Sequence, residues 1–393
     1  MGRWRKGLLL TAAIVAGAML AAAARAEDVP GISKDEIRIG SFGAMTGPQY
    51  LYGKLTMNGV DAVFHKVNAA GGINGRKLTL VREDDRCDPA TAIAAVKKLV
   101  FEDKVFIIIG GGCSNATLAA RPEIEKDQIP FQCFASVADA ISDPVSKYIY
   151  TTMLTASIES RSQIQYAVDH KMKKIAVVSQ HDAWGQARYT PLMADLKRRE
   201  ITPVVDLEMT VDDNDATTQA LKIAQAGADG VLMVVYPKPG AVLARALFKL
   251  GQHPLLIGQS AIADPVAFTK DVAIPGATDN FVTPTAVRYA PSDPQVKDWM
   301  ALIKELFPND ELSVFNLMGI GSAEVLVAAL KEAGPELTRE KYLAAMAHIK
   351  VDTDTYASTV LCNDPASHQC NNSPAWMKAA GDRAEMVGVT TVQ

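Results

Sequence analysis

"KVFIIIGGGCSNATLAARPEIEKD", Lys104 to Asp127, runs from unbroken apolar residues through three glycines into a segment of helical character. A strand with no polar alternation must be covered on both faces, as in a parallel sheet between helices. The glycines permit a sharp turn at the strand end, and Cys113, Ser114 and Asn115 open the next helix. At such a joint, unpaired N–H groups and the helix dipole favour an anion. A plain glycine turn with an N-cap serine uses the same residues, so the joint alone does not decide between a ligand site and a corner.

The same rhythm extends in both directions. "EIRIGSF", "RKLTLVRED", "KVFIIIGG" and "IPFQCFA" alternate with helix-like segments. After "KKIAVVSQ" the pattern restarts through "TPVVDLEM", "GVLMVVY" and "PLLIGQ". Two such blocks predict two α/β domains. The later "SVFNLMGIGSAEVLVAALKEAG" and "REKYLAAMAHI" read as helices that return to the first domain. In sheets of this kind ligands bind beyond the carboxyl ends of the strands. The loops there offer Tyr50, Tyr52, Trp184 and Tyr236, with hydroxyls at Ser114, Ser136 and Ser260. Aromatic walls with a few hydroxyls describe a small-molecule cleft.

The first residues, "MGRWRKGLLLTAAIVAGAMLAAAARAEDVP", combine a basic start, a short apolar core and Ala24-Arg25-Ala26. They predict an export signal spanning residues 1–26, with cleavage after Ala26. That segment carries four of the 40 Lys/Arg and none of the 44 Asp/Glu, leaving a net charge of −8 beyond it. An acidic chain argues against nucleic acid as a partner. No further apolar stretch reads as long enough to span a bilayer, so no membrane insertion is expected once the signal is removed.

Five cysteines in an oxidising compartment should pair and leave one over. Cys362 and Cys370 in "CNDPASHQC" can close a hairpin, and Cys87 with Cys113 would close a longer loop. Cys133, in the apolar "IPFQCFAS", reads as a buried free thiol. The cysteine spacing and the scattered six histidines do not fit zinc.

Catalytic signatures are missing. "GQSAI" (Gly258–Ile262) lacks the second glycine of a nucleophile elbow, and "GGGCSN" lacks both the dinucleotide order and a P-loop lysine. The pair Asp84–Asp85 reads as solvated turn residues, and His181 beside Asp182 does not place the two side chains face to face. No nucleophile–base constellation emerges, so an enzyme is not expected.

"GAMTGPQYLYG" (Gly43–Gly53), "NAAGGINGRKLTLVREDDRCDP" (Asn68–Pro89) and "GGGCSNAT" (Gly110–Thr117) resemble the leucine/isoleucine/valine-binding proteins of bacterial ABC importers. The resemblance runs over nearly the whole chain beyond the signal. It implies an α/β type I periplasmic binding protein, two doubly wound parallel-sheet lobes joined by three crossings. The expected division is residues 27–151 with 284–355 in one lobe and 152–283 with 356–393 in the other. It also implies a Cys87–Cys113 bridge, no cofactor, no metal, permease subunits as partners and a monomeric carrier.

Carried over residue by residue, the resemblance makes Tyr52 an aromatic that closes over the ligand. Ser114, with the backbone N–H of Cys113, would hold the ligand carboxylate. Ala135 and Ser136 would offer backbone contacts, and Trp184 and Tyr236 would be the aromatics of the second lobe. Two positions depart from the amino-acid binders: Val137 stands where they place a threonine, and Ser260 where they place a glutamate that holds the ligand ammonium. A buried ammonium without its carboxylate loses roughly 3–5 kcal/mol. Unless Asp264 or Asp139 replaces that acid, the expected ligand is a small organic carboxylate without an α-amino group, a flat aromatic acid being favoured by Trp184 and Tyr50. The alternatives are a branched-chain amino acid binder with a rearranged ammonium site, a ligand-sensing subunit of a periplasmic receptor, and, least favoured, a periplasmic hydrolase.

Overall fold

The computed structural model describes residues 29–392, so the expected export signal lies outside the described residues. The first sheet contains β1 (Glu36–Gly43), β2 (Lys77–Asp84), β3 (Ile107–Gly110), β4 (Phe131–Cys133) and β5 (Ile149–Thr151), all parallel. Their spatial order is β2-β1-β3-β4-β5. Helices α1 (Thr56–Ala69), α2 (Pro89–Lys97) and α3 (Ser114–Lys126) connect the first four strands. Val105 through Ile109 are fully buried because β3 is central: Ile107 and Ile109 pack with Met57, Val60 and Ile320, while Ile108 packs with Val96, Ala116 and Ile124 on the opposite face. The unbroken apolar run is thus two half-cores meeting across one strand.

After β5 the chain crosses to the second sheet through α4 (Ala156–Asp169). It continues as β6 (Ile175–Gln180), α5 (Ala183–Arg198), β7 (Val205–Met209), α6 (Thr217–Ala226), β8 (Gly230–Val234), α7 (Pro237–Lys249), β9 (Leu255–Ile257), α8 (Pro265–Val272) and β10 (Phe281–Thr285). These strands are parallel in the order β7-β6-β8-β9-β10, the same winding as the first sheet. Along β8, Val231 and Met233 enter one core, while Leu232 and Val234 enter the other.

The chain then returns. Helices α9 (Lys297–Leu306), α10 (Val314–Ala333) and α11 (Arg339–Met346) bury their apolar residues in the core of the first sheet. Strands β11 (Lys350–Val351) and β12 (Val360–Leu361) form a two-residue ribbon beside it. A third crossing leads to β13 (Ala375–Ala380) and β14 (Arg383–Val389), an antiparallel hairpin on the edge of β10. The second sheet is therefore mixed at that edge, an antiparallel hairpin added to the expected doubly wound parallel strands.

The sheets also divide the chain at points slightly different from those expected. β10 carries Thr285 inside the second sheet, and Tyr356, Val360, Cys362 and Cys370 lie in the first core. The Thr151 N–H donates to His368 O, so the Cys362–Cys370 loop extends the first sheet and the last crossing follows it.

One reading of the sequence is corrected outright. Helix α10 is long and apolar enough, by length and composition alone, to cross a membrane. Here it is a core helix packed on α1, with contact so close that a Cβ on Gly319 would meet Thr56 O at 2.0 Å and one on Gly59 would meet Asn316 O at 2.1 Å.

Both sheets reverse their winding at one place, between β1 and β3 and between β6 and β8. At such points successive connections leave toward opposite sides and open a crevice at the carboxyl ends of the strands. Tyr52, Ser114, Trp184 and Tyr236 all follow these four strands, Ser114 and Trp184 in the first turns of the helices that come next.

Candidate functional site

The three glycines after β3 form a turn tailored to its neighbours. Gly111 has φ +85°, in the left-handed region, and a Cβ on Gly110 would lie 2.8 Å from Phe42 O of β1. Cys113 then takes the cap position of α3 in extended conformation and makes no side-chain capping bond. Its sulfur is bonded to Cys87 and is not available to cap. Ser114 is the first helical residue, not the cap. Its Oγ accepts from the N–H groups of Val137 and Ala138 at 3.2 and 3.3 Å, which leaves its proton free to be donated. The start of α3 thus offers uncapped N–H groups and one hydroxyl, braced by the loop after β4.

Ser136 behaves differently from the expectation. Its N–H donates to Gly111 O at 2.9 Å, and its hydroxyl bonds Gly111 O and Thr117 Oγ1, each at 2.8 Å. It props the glycine turn with groups that a ligand was expected to use. Ala135 is buried beside it, and Val137 is half-buried. Tyr50 turns outward: its hydroxyl donates to Glu311 Oε1 at 2.7 Å, and this bond raises its pKa.

Asp84 and Asp85 are not the solvated pair expected. Asp84 accepts from Met45 N at 2.8 Å and Thr46 Oγ1 at 2.6 Å, fastening the loop that leads to Tyr52. Asp85 is fully buried, and burial pushes its pKa up to about 6. Tyr52 itself sits in a wide helical turn, Leu51–Leu55, with its ring edge-on to Phe315 at 5.0 Å between centroids.

From the second sheet, Trp184 and Tyr236 stack on each other, 4.3 Å between centroids at 27°. Arg188, one helical turn after Trp184, lays its guanidinium over the indole at 4.1 Å. Arg188 is only 4% exposed, and its Nε lies 3.6 Å from Oε2 of Glu159, which is fully buried in the first turn of α4. Burial opposes both charges: it raises the Glu159 pKa and lowers that of Arg188, and each ion pulls the other partly back. Ser260, at the start of a short turn after β9, adds to the pull on Glu159. Burial also pushes the Tyr236 hydroxyl up to about 12, with Asp182 acting in the same direction. The Arg188 charge also acts on Tyr52, against the burial that raises its pKa.

The two acids considered as replacements for the missing ammonium partner are otherwise engaged. Asp264 caps α8, accepting from Val266 N and Ala267 N at 2.9 Å each. Asp139 accepts from the N–H and hydroxyl of Ser157. Sequence reading missed Glu159 and Arg188. Arg188 was findable, since residues four apart share a helix face and Trp184 already marked that face. Of the expected bridges, Cys87–Cys113 and Cys362–Cys370 are formed, and Cys133 is a buried free thiol. His181 pairs with Glu208 at 2.8 Å while Asp182 caps α5, so the two neighbours do not act on each other. Among the described residues no group of three or more His, Cys, Asp or Glu is arranged to hold a metal ion. A depression of about 390 Å³ lined by Tyr189, Asp206, Glu208 and Lys222 lies at β7, on the outer edge of the second sheet and away from this cluster.

Two lobes of identical winding, with aromatic and charged side chains gathered at both switch points, define a two-lobed solute-binding architecture. The chain belongs to the periplasmic binding protein family, whose model matches residues 36–379. It is 25% identical over 325 residues to the leucine-, isoleucine-, valine-, threonine- and alanine-binding protein of Pseudomonas aeruginosa, covering 82% of this chain and 85% of that one. Among solved structures, a putative branched-chain amino acid ABC transporter protein from Rhodospirillum rubrum superposes with a TM-score of 0.76 at 19% identity, covering 90% of this chain and all of that one. A solute-binding protein of an ABC transporter from R. palustris, in complex with 4-hydroxybenzoate, superposes with a TM-score of 0.71 at 18% identity, covering 91% and 97%.

Proposed function

We propose that this protein is the periplasmic, non-catalytic binding component of an ABC importer and that it carries a small aromatic carboxylate between its lobes. The observation that carries the choice of ligand is the Trp184–Tyr236–Arg188 stack beside a buried acid that already has a counter-ion. An α-ammonium group needs a free buried carboxylate. Glu159 faces Arg188, Asp139 is bonded to Ser157 and Asp264 caps a helix, so none of the three is free of a partner. A carboxylate, by contrast, meets the uncapped start of α3 and the Ser114 hydroxyl. The stacked rings of Trp184 and Tyr236 supply a flat wall for the body of the ligand.

In this reading the first lobe holds the carboxylate, and the second lobe brings Trp184, Arg188 and Tyr236 over it. Closure follows because the ligand binds the closed form more tightly than the open one, and the permease would then recognise the closed lobes. Mass spectrometry of small molecules released on denaturing the purified protein, with a thermal-shift screen of benzoate-type acids against leucine, tests the proposal. Stabilisation by benzoate-type acids supports it. Stabilisation by leucine alone would favour the branched-chain amino acid reading and refute this one.

A further inference from the structure

We infer that Glu159 and Arg188 together read a hydroxyl group on the ligand, at the end remote from its carboxylate; the inference rests on the carboxylate reading above. Glu159 is fully buried, and neither of its carboxylate oxygens makes a close hydrogen bond within the protein, although Arg188 and Ser260 both lie near enough to stabilise its charge. Arg188 Nε is likewise buried and without a hydrogen bond, 3.6 Å from Glu159 Oε2. Buried polar atoms are nearly always paired, and an unpaired one carries its full desolvation cost. An ion pair whose two acceptors and one donor lie side by side without close hydrogen bonds leaves capacity for a ligand group that can both donate and accept.

The chemistry of that subsite is selective. A ligand hydroxyl can donate to Glu159 and accept from Arg188 at the same time. An ammonium offers only donors and is repelled by Arg188; a second carboxylate offers only acceptors and is repelled by Glu159. A methyl group or hydrogen satisfies neither. The protein itself connects the start of α3 to the start of α4. Ser114 is held by the N–H groups of Val137 and Ala138, the adjacent Asp139 is bonded to Ser157, and Glu159 follows two residues later on α4. Trp184, stacked between Arg188 and Tyr236, orients the guanidinium and leaves its Nε edge toward the acid.

Calorimetric titration of the full chain with 3-hydroxybenzoate, 4-hydroxybenzoate and 4-methylbenzoate tests this. The methyl compound matches the hydroxyl in size but can neither donate nor accept. At least one hydroxybenzoate is expected to bind more than about 100-fold tighter, as sites built around a ligand hydroxyl reject analogues lacking it. In the double variant Glu159→Leu/Arg188→Met, which removes both charges together, the preference should fall to within about threefold. Should that variant fail to fold, the wild-type ratio remains the deciding measurement. Equal affinity for the methyl and hydroxyl compounds would overturn the inference and leave the carboxylate reading standing. A preference that survives in the double variant would overturn it too, and failure of all three compounds to bind would overturn both.

Discussion

Replacing Ser114 with alanine perturbs two things at once, and the structure separates them. The Ser114 hydroxyl accepts from Val137 N at 3.2 Å and Ala138 N at 3.3 Å, so its loss strands two amides of the loop after β4. Both bonds are long and the loop is half-buried there, so water can replace part of what is lost. A stability cost of about 1–2 kcal/mol follows, well below what would unfold a domain. The binding cost is separate. In the proposed complex the same hydroxyl donates to the ligand carboxylate, a charge-assisted bond worth about 1.5–3 kcal/mol, or roughly 10- to 150-fold in Kd. Denaturant titration of the ligand-free variant measures the first term, and calorimetry with 4-hydroxybenzoate measures the second. A variant that loses stability but binds with unchanged affinity would show that Ser114 only braces the loop, and the carboxylate would have to be placed elsewhere.

Trp184→Ala removes the ring between Arg188 and Tyr236 and should weaken binding of the same probe by about 10- to 100-fold, read by calorimetry; an unchanged Kd would remove the stack from the site. Replacing Cys87 and Cys113 together with serine should cost about 3.5 kcal/mol from their separation of 26 residues, measured by urea unfolding; a loss below about 1 kcal/mol would mean the bridge does little to constrain the unfolded chain. Burial and the nearby Asp354 push Glu324 up to about 7 from its ordinary 4.5. A raised carboxyl pKa favours the folded state while the group is protonated, so this contribution is complete below about pH 4.5 and is lost as pH rises through 7. Its full size is roughly 3 kcal/mol. Glu324→Gln should flatten the fall in stability between pH 5 and 8, and an identical pH profile would refute the assignment. Asp85, pushed up to about 6, contributes with the same sign.

Each element legible in the sequence was legible for a local reason. Val105–Ile109 announce a central strand because both faces of β3 are covered, and the joint from Gly110 to Ser114 announces a turn because only glycine tolerates the backbone of Gly111. The hairpin β13–β14 was missed because half of its residues face solvent and their pattern is weak. Helix α4 was harder still. Glu159, Ser160, Ser162 and Gln163 are fully buried, so a segment that reads as a polar surface helix lies inside. Its polar groups are satisfied or held by distant residues: Gln163 donates to Ile257 O and Gly258 O, Ser160 to Arg188 O, and Glu159 faces Arg188. Burial of that kind is a property of the assembled second sheet and leaves no periodic trace along the chain.

The same buried polar helix explains how a site that departs from the amino-acid binders at Val137 and Ser260 can still be charged. An acid contributed by the short turn after β9 would stand alone and require a cation from the ligand. Here the acid comes instead from α4, and Arg188 on the neighbouring α5 arrives with it, so the second lobe carries its own neutral pair. The first lobe, by contrast, presents the uncapped start of α3, a partial positive charge with no acid in its own first turn. On the proposed reading, a zwitterion would satisfy the first lobe with its carboxylate and then bring an ammonium against a guanidinium. An anion with a neutral hydroxyl satisfies both halves. On that reading, the pairing of Glu159 with Arg188 sets the charge of the solute that closes the lobes.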